Sequence, residues 1–271
     1  MASKPRRSAK TRSLYTSLTG VAPGHVPKKW VKFVAGAFLL LPCWVLTLAF
    51  FGALLESAEH GGFWRSEELV WFGGGALLGV VGYFAVKPLV WLYVIGHELT
   101  HALLVWFYGG RVHDFHVASS GGHIVTDKTN TLIVLAPYFV PFYTVLWIGS
   151  YTTARVVFDL PGHPGLFQGG IGATWAFHLV FTIAMIVRGQ PDLEYGGVFF
   201  SIVLIYLLNL ALICVLLVAL SPVADWSGFA RGVLWSAQEV SSEIFRLIQP
   251  SPLPQKSMTP EQVREGGVVD S

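Results

Sequence analysis

The sequence predicts an all-α integral membrane protein of about six transmembrane helices. A short β-hairpin follows a His-Glu-x-x-His helix, and an amphipathic surface helix lies near the C-terminus. Three observations predict this class. Hydrophobic residues make up 53% of the 271 and charged residues only 13%, with a mean hydropathy of +0.57. A soluble chain of this length carries about twice that charge. The apolar residues gather in blocks long enough to cross the ~30 Å hydrocarbon layer. The basic residues gather too: residues 1–32 contain eight Lys and Arg and no acid. Beside a first apolar block, such a tail reads as a positive-inside signal, so no nucleic-acid partner is expected.

Residues 1–29 are rich in Ser, Lys, Arg, Pro and Gly and read as a basic, disordered tail. The first span covers 33–55, with Pro42 inside it as a kink. It begins too late and runs too long for a cleaved signal peptide. The loop 56–68 holds four glutamates and one arginine, which places it outside. The apolar block 69–108 is too long for one helix. Lys87-Pro88 divides it, because proline ends the hydrogen-bond ladder and lysine prefers the interface. This yields spans at 69–86 and 89–108, the second stopped by Gly109-Gly110.

In residues 111–130 apolar residues flank Ser119-Ser120-Gly121-Gly122, a hairpin pattern. Such a hairpin cannot lie bare in lipid and needs shielding helices or a polar cavity. Further spans follow at 131–150, carrying Pro137 and Pro141, at 168–187, carrying His178, and at 198–220, carrying Asn209. A polar link spans 188–197. The Asn209 amide reads as glue between helices. Residues 223–248 show helically spaced apolar side chains between polar ones, as in a helix lying on a membrane surface. The tail 249–271 is rich in Pro, Ser and charge and reads as disordered. Cys43 and Cys214 sit in apolar runs as small core residues. No internal repeat is visible.

The chemistry centres on His97-Glu98-Leu99-Thr100-His101, in the middle of the span 89–108. Ionisable residues at that depth are costly and mark function. Shuffling this composition produces HExxH in only about one to two chains per hundred. On a helix, residues i and i+4 share a face, so His97 and His101 can reach one Zn²⁺ ion. Glu98 then stands beside the open coordination position, placed to take a proton from an attacking water.

Such a centre needs a third protein ligand, and the residues offer several: Asp192, His178, and the hairpin histidines His113, His116 and His123. Asp192 sits at the N-terminal end of the span 198–220, where a helix dipole also favours a carboxylate. His178 reads as a ligand, as a donor to a developing oxyanion, or as a satisfied core histidine. The hairpin histidines read as solvated loop residues. Gly121 and Gly122 read either as a plain turn or as a substrate-binding strand whose free backbone groups hold an extended peptide.

HELTH in a membrane helix, a Gly-Gly hairpin after it and a later Pro191-Asp192-Leu193 near Gly196-Gly197 together resemble the site-2 protease type of intramembrane zinc metalloprotease. The resemblance covers about 89–220 and makes 30–222 a transmembrane metalloprotease-like domain. It implies Zn²⁺ bound by His97, His101 and Asp192, with Glu98 as catalytic base. The chain departs from the family's usual Leu-Asp-Gly pattern, since Asp192 precedes Leu193-Glu194-Tyr195. It also lacks a PDZ-like segment, as a divergent, compact branch would. The partners implied are a membrane-protein substrate and the lipid bilayer. The basic tail, the acidic first loop and an even count of spans put both termini in the cytoplasm, and the composition points to a prokaryotic plasma membrane. Two readings from other classes stand beside it: a non-proteolytic zinc-binding scaffold and an ion- or proton-relay transporter. Neither the side on which the site opens nor the oligomeric state is written in the sequence.

Overall fold

The computed structural model describes residues 29–59, 62–85, 89–118, 121–221 and 224–249. The basic tail up to residue 28, the Lys87-Pro88 break, the Ser119-Ser120 turn and the tail from residue 250 lie outside the described residues.

Helix α1 (Lys29–Glu59) runs through Pro42 as one helix. After a 3₁₀ turn (Phe63–Arg65), α2 (Glu67–Ala85) begins with Glu67 and Glu68 in its first turn, where the helix dipole favours acids. Ser66 Oγ accepts from the Leu69 N–H there at 3.3 Å. Helix α3 (Leu89–Phe107) carries the HELTH motif and ends at Gly109, whose φ of +70° suits only glycine well.

Strands β1 (Val112–Ala118) and β2 (Gly121–Thr126) form the expected antiparallel hairpin, with Phe115 opposite Ile124 and His116 opposite His123. Gly121 and Gly122 are therefore not a turn. They open β2, opposite Ala118 and Val117. The pairing slips between Val112 and Asp114, so His113 has no cross-strand partner. Helix α3 packs against both strands, while His113 to His116 of β1 stay exposed, so the helix covers only part of the hairpin.

The span expected at 131–150 is not one helix. Helix α4 (Thr131–Leu135) runs into a 3₁₀ turn (Ala136–Tyr138), and α5 (Phe142–Phe158) leaves at 74° to that piece. The cause lies in Pro137 and Pro141. Neither has an N–H to donate, and each ring obstructs the carbonyl four residues back. Helix α6 (Pro164–Arg188) follows.

The link 188–197 also holds more structure than expected. It contains a short helix, α7 (Pro191–Gly196), set apart by Gly189 at φ +72° and Gly197 at φ +85°. Asp192 thus belongs to α7 and not to the start of the next span, α8 (Val198–Leu220). Helix α9 (Trp226–Ile248) closes the described chain and packs on α1, burying Ser236 and Val240.

By length and composition, five of the described helices can cross a bilayer, or six if the bent pair counts as one span. That is compatible with an integral membrane protein. The helix contacts have a backbone reason. Along α2 and α6, a Cβ on Gly75 would overlap the Gly169 carbonyl, and one on Gly172 would overlap the Phe72 carbonyl. Small residues let these backbones touch, which is how apolar helices associate where lipid is no worse a neighbour than leucine. On the other side α1 lies along α8, with Thr47 Oγ1 2.9 Å from Tyr206 Oη. Between the pairs, Tyr138, Leu135, Phe181 and Leu193 are buried in one cluster, and the site stands against it.

Candidate metal centre

Helix α3 presents Tyr93, His97 and His101 at four-residue intervals, so the three lie on one stripe. His101 Nδ1 lies 2.8 Å from the Ile133 carbonyl. A carbonyl only accepts, so Nδ1 carries the proton and the Nε2 lone pair of the neutral ring faces the other way. Ile133 is held in turn by Asn130, whose side chain accepts from the Ile133 N–H at 2.8 Å. His97 Nδ1 lies 3.2 Å from the Tyr93 hydroxyl. Both imidazoles are thus oriented from behind, the usual arrangement around metal-binding histidines.

Asp192 completes the group. Its Oδ2 lies 3.4 Å from His97 Nε2 and 3.8 Å from His101 Nε2. One donor atom from each of the three residues falls within 4.8 Å of the others, a set that could hold a metal ion. The Tyr138 hydroxyl donates to Asp192 Oδ2 at 3.1 Å.

The distances bear on what belongs between these groups. A charge-assisted N–H···O bond is about 2.7–2.9 Å long. Tetrahedral ligands about 2.0–2.1 Å from a zinc ion stand about 3.3–3.4 Å apart. The separations of 3.4 and 3.8 Å are too long for the first and near the second. In the neutral ring His101 Nε2 is an acceptor facing the Asp192 carboxylate, the donor set that a divalent cation takes. The donor set therefore fits a divalent metal.

Three anchors hold α7 where Asp192 reaches the histidines. Lys32 Nζ, on α1, donates to the Tyr195 carbonyl at 2.7 Å. Ser201 Oγ donates to the Leu193 carbonyl at 3.0 Å, and the Leu193 side chain is buried in the core. The bend after Tyr138 is held as well: Asn209 Nδ2 donates to the Tyr138 carbonyl at 2.8 Å, the role between helices that its position in an apolar span implies.

Glu98 is 6% exposed and borders a cavity of about 420 Å³, together with His97, His101, Asp192 and β2 residues Gly121 to Ile124. A Cβ on Gly122 would stand 2.6 Å from Glu98 Cγ and 2.9 Å from the His116 carbonyl oxygen, so only glycine lets the hairpin come down on Glu98. Of the residues singled out in the sequence, His97, Glu98, His101, Asp192, Gly121 and Gly122 meet in this cavity. His178, the alternative third ligand, does not join the metal-capable group. It is buried behind His97, beside a small void lined by Thr100 and Tyr143. Its Nε2 has no hydrogen-bond partner among the described residues. Of the hairpin histidines, only His123 borders the cavity. Tyr138, Lys32 and the Ile133 carbonyl were not legible as site residues. Tyr93, one turn before His97 on the same stripe, was within reach of the periodicity.

Fold and site together define a helical protein with membrane-length spans and a partly buried His-His-Asp centre. Compared with family models, curated proteins and solved structures, the chain matches none.

Proposed function

We propose that this chain is an integral membrane zinc metalloprotease that cleaves peptide bonds in or near the spans of other membrane proteins. The observation that carries the reading is the convergence of His97 Nε2, His101 Nε2 and Asp192 Oδ2 beside Glu98, at separations suited to one metal ion. A zinc ion there supplies Lewis acidity, activating water at neutral pH and polarising the carbonyl under attack. Glu98 accepts the proton of the attacking water and later returns it to the leaving amine. Tyr93 and the Ile133 carbonyl keep the imidazoles turned inward. Tyr138 orients the Asp192 carboxylate. His178 lies off the cavity, which favours a packing role over contact with the oxyanion.

A helical substrate has its carbonyls paired and must unwind to be cut. Strand β2 pairs only with β1 among the described residues, so it has an edge without a strand partner, and its residues border the cavity. An extended peptide adding to that edge passes Gly121 and Gly122 on its way to Glu98. On this reading the chain belongs to a prokaryotic plasma membrane; the basic N-terminal residues support a cytoplasmic N-terminus, and a count of six spans returns the C-terminus to the same side.

The test combines metal content and cleavage. Mass spectrometry of detergent-purified protein should find about one zinc per chain, as a catalytic site of this type holds. His97→Ala and Asp192→Ala should lose it, and His178→Ala should keep it. Glu98→Gln should retain zinc and lose cleavage of membrane-protein substrates. Zinc-free, well-folded wild type would refute the reading in favour of a scaffold.

A further inference from the structure

The cavity is bordered by a cation that the proposed chemistry does not use. Arg188 and Gln190 border it where α6 gives way to α7. Arg188 is the only Lys or Arg among the described residues that line it. No carboxylate pairs with Arg188 among the described residues. The two acids of the cavity are already committed. Asp192 faces the histidines, and Glu98 lies under Gly122.

Arginine at the end of an apolar helix commonly reaches for lipid phosphate. The orientation argues otherwise here. Val187, one residue earlier, is 80% exposed and marks the outward face of α6. Met185, three residues earlier and on the same face as Arg188, is buried and borders the cavity. Gln190 is steadied beside it by a contact of 3.3 Å from Nε2 to Met185 Sδ. A guanidinium offers five donors in a flat fork that matches a carboxylate with two parallel hydrogen bonds.

We infer that Arg188 is a specificity residue, and that the segment seated in the cavity carries a carboxylate, from an acidic side chain or from a chain terminus. This rests on the zinc protease reading, because it assigns a peptide to the cavity. The test uses the zinc-loaded full chain in neutral detergent and three succinyl-hydroxamate peptides, whose hydroxamate binds the metal without being cleaved. One carries an internal Glu and a terminal amide. A second carries Gln and an amide. The third carries Gln and a free terminal carboxylate.

Wild type should bind one carboxylate compound roughly tenfold tighter than the neutral one, as a two-pronged charged pair warrants. Which compound is preferred names the source. Added salt should shrink the preference, since Arg188 is exposed. Arg188→Gln should bring the ratio close to one, and Arg188→Glu should reverse it. Equal binding of all three compounds by wild type would overturn the inference while leaving the zinc reading intact. So would a preference that survives in Arg188→Gln. If the substitutions alter only binding of anionic-lipid vesicles, Arg188 is a lipid anchor and the inference fails. Binding of no hydroxamate by zinc-loaded protein would overturn the protease reading and this inference with it.

Discussion

Tyr138→Phe isolates one atom of the proposed centre. The tyrosine has no exposed surface, and its hydroxyl lies 3.1 Å from Asp192 Oδ2. Phenylalanine keeps the ring, so the packing against His97, whose ring centroid lies 5.3 Å away, should persist. What is lost is a hydrogen bond to a charged acceptor, about 1.5–3 kcal/mol. At 1.4 kcal/mol per decade, zinc affinity should fall about 10- to 150-fold. Removing partners behind metal ligands typically costs about 10- to 100-fold, which narrows the expectation to that range. The assay is competition for zinc between purified protein and a fluorescent chelator at fixed pH, with thermal unfolding of the metal-free form as a control. A dissociation constant within about a factor of two of wild type, with zinc bound, would refute the reasoning. Asp192 would then owe its orientation to the anchors of α7 alone.

Those anchors make their own prediction: Lys32→Met should weaken zinc binding by roughly tenfold, with only partial recovery in Lys32→Arg, because α7 loses its tie to α1. The same chelator competition reads it. Gly75→Leu should lower stability by about 1–3 kcal/mol or more, since its side chain must displace the α6 backbone. Gly74→Leu, at a position where a Cβ meets nothing within 4 Å, should leave thermal unfolding in detergent near wild type. Gly122→Val should keep zinc yet slow cleavage by roughly 100-fold, because Glu98 must move aside. Asp225 caps α9, accepting from the Ser227 hydroxyl and the Gly228 N–H, and these bonds hold its carboxyl below its ordinary value. A depressed folded-state value means that the cap is fully present above the ordinary carboxylate range and is lost as pH falls through the folded value. Amide exchange at Gly228 should therefore quicken in acid, and Asp225→Ala should make it fast at neutral pH.

What the sequence made legible follows from which forces act locally. The spans were legible because a bilayer-length apolar run has few alternatives, and HELTH because i, i+4 geometry is a property of any helix. The bend between α4 and α5 was only half legible. Pro137 and Pro141 announce a fault in the ladder, but the 74° angle depends on Asn209 of α8 holding the freed Tyr138 carbonyl, a partner 71 residues away. The position of Asp192 shows the limit most clearly. Read locally, Pro191-Asp192 opens the following span, and the helix dipole accounts for the carboxylate. Gly197 at φ +85° then breaks that continuity and leaves α7 as a separate piece. A helix this short has no stability of its own, so its place is decided by Lys32 and Ser201 and by the burial of Leu193. None of those contacts leaves a period or a motif. A third metal ligand on such a piece follows from tertiary packing, whereas the first two follow from the helix itself.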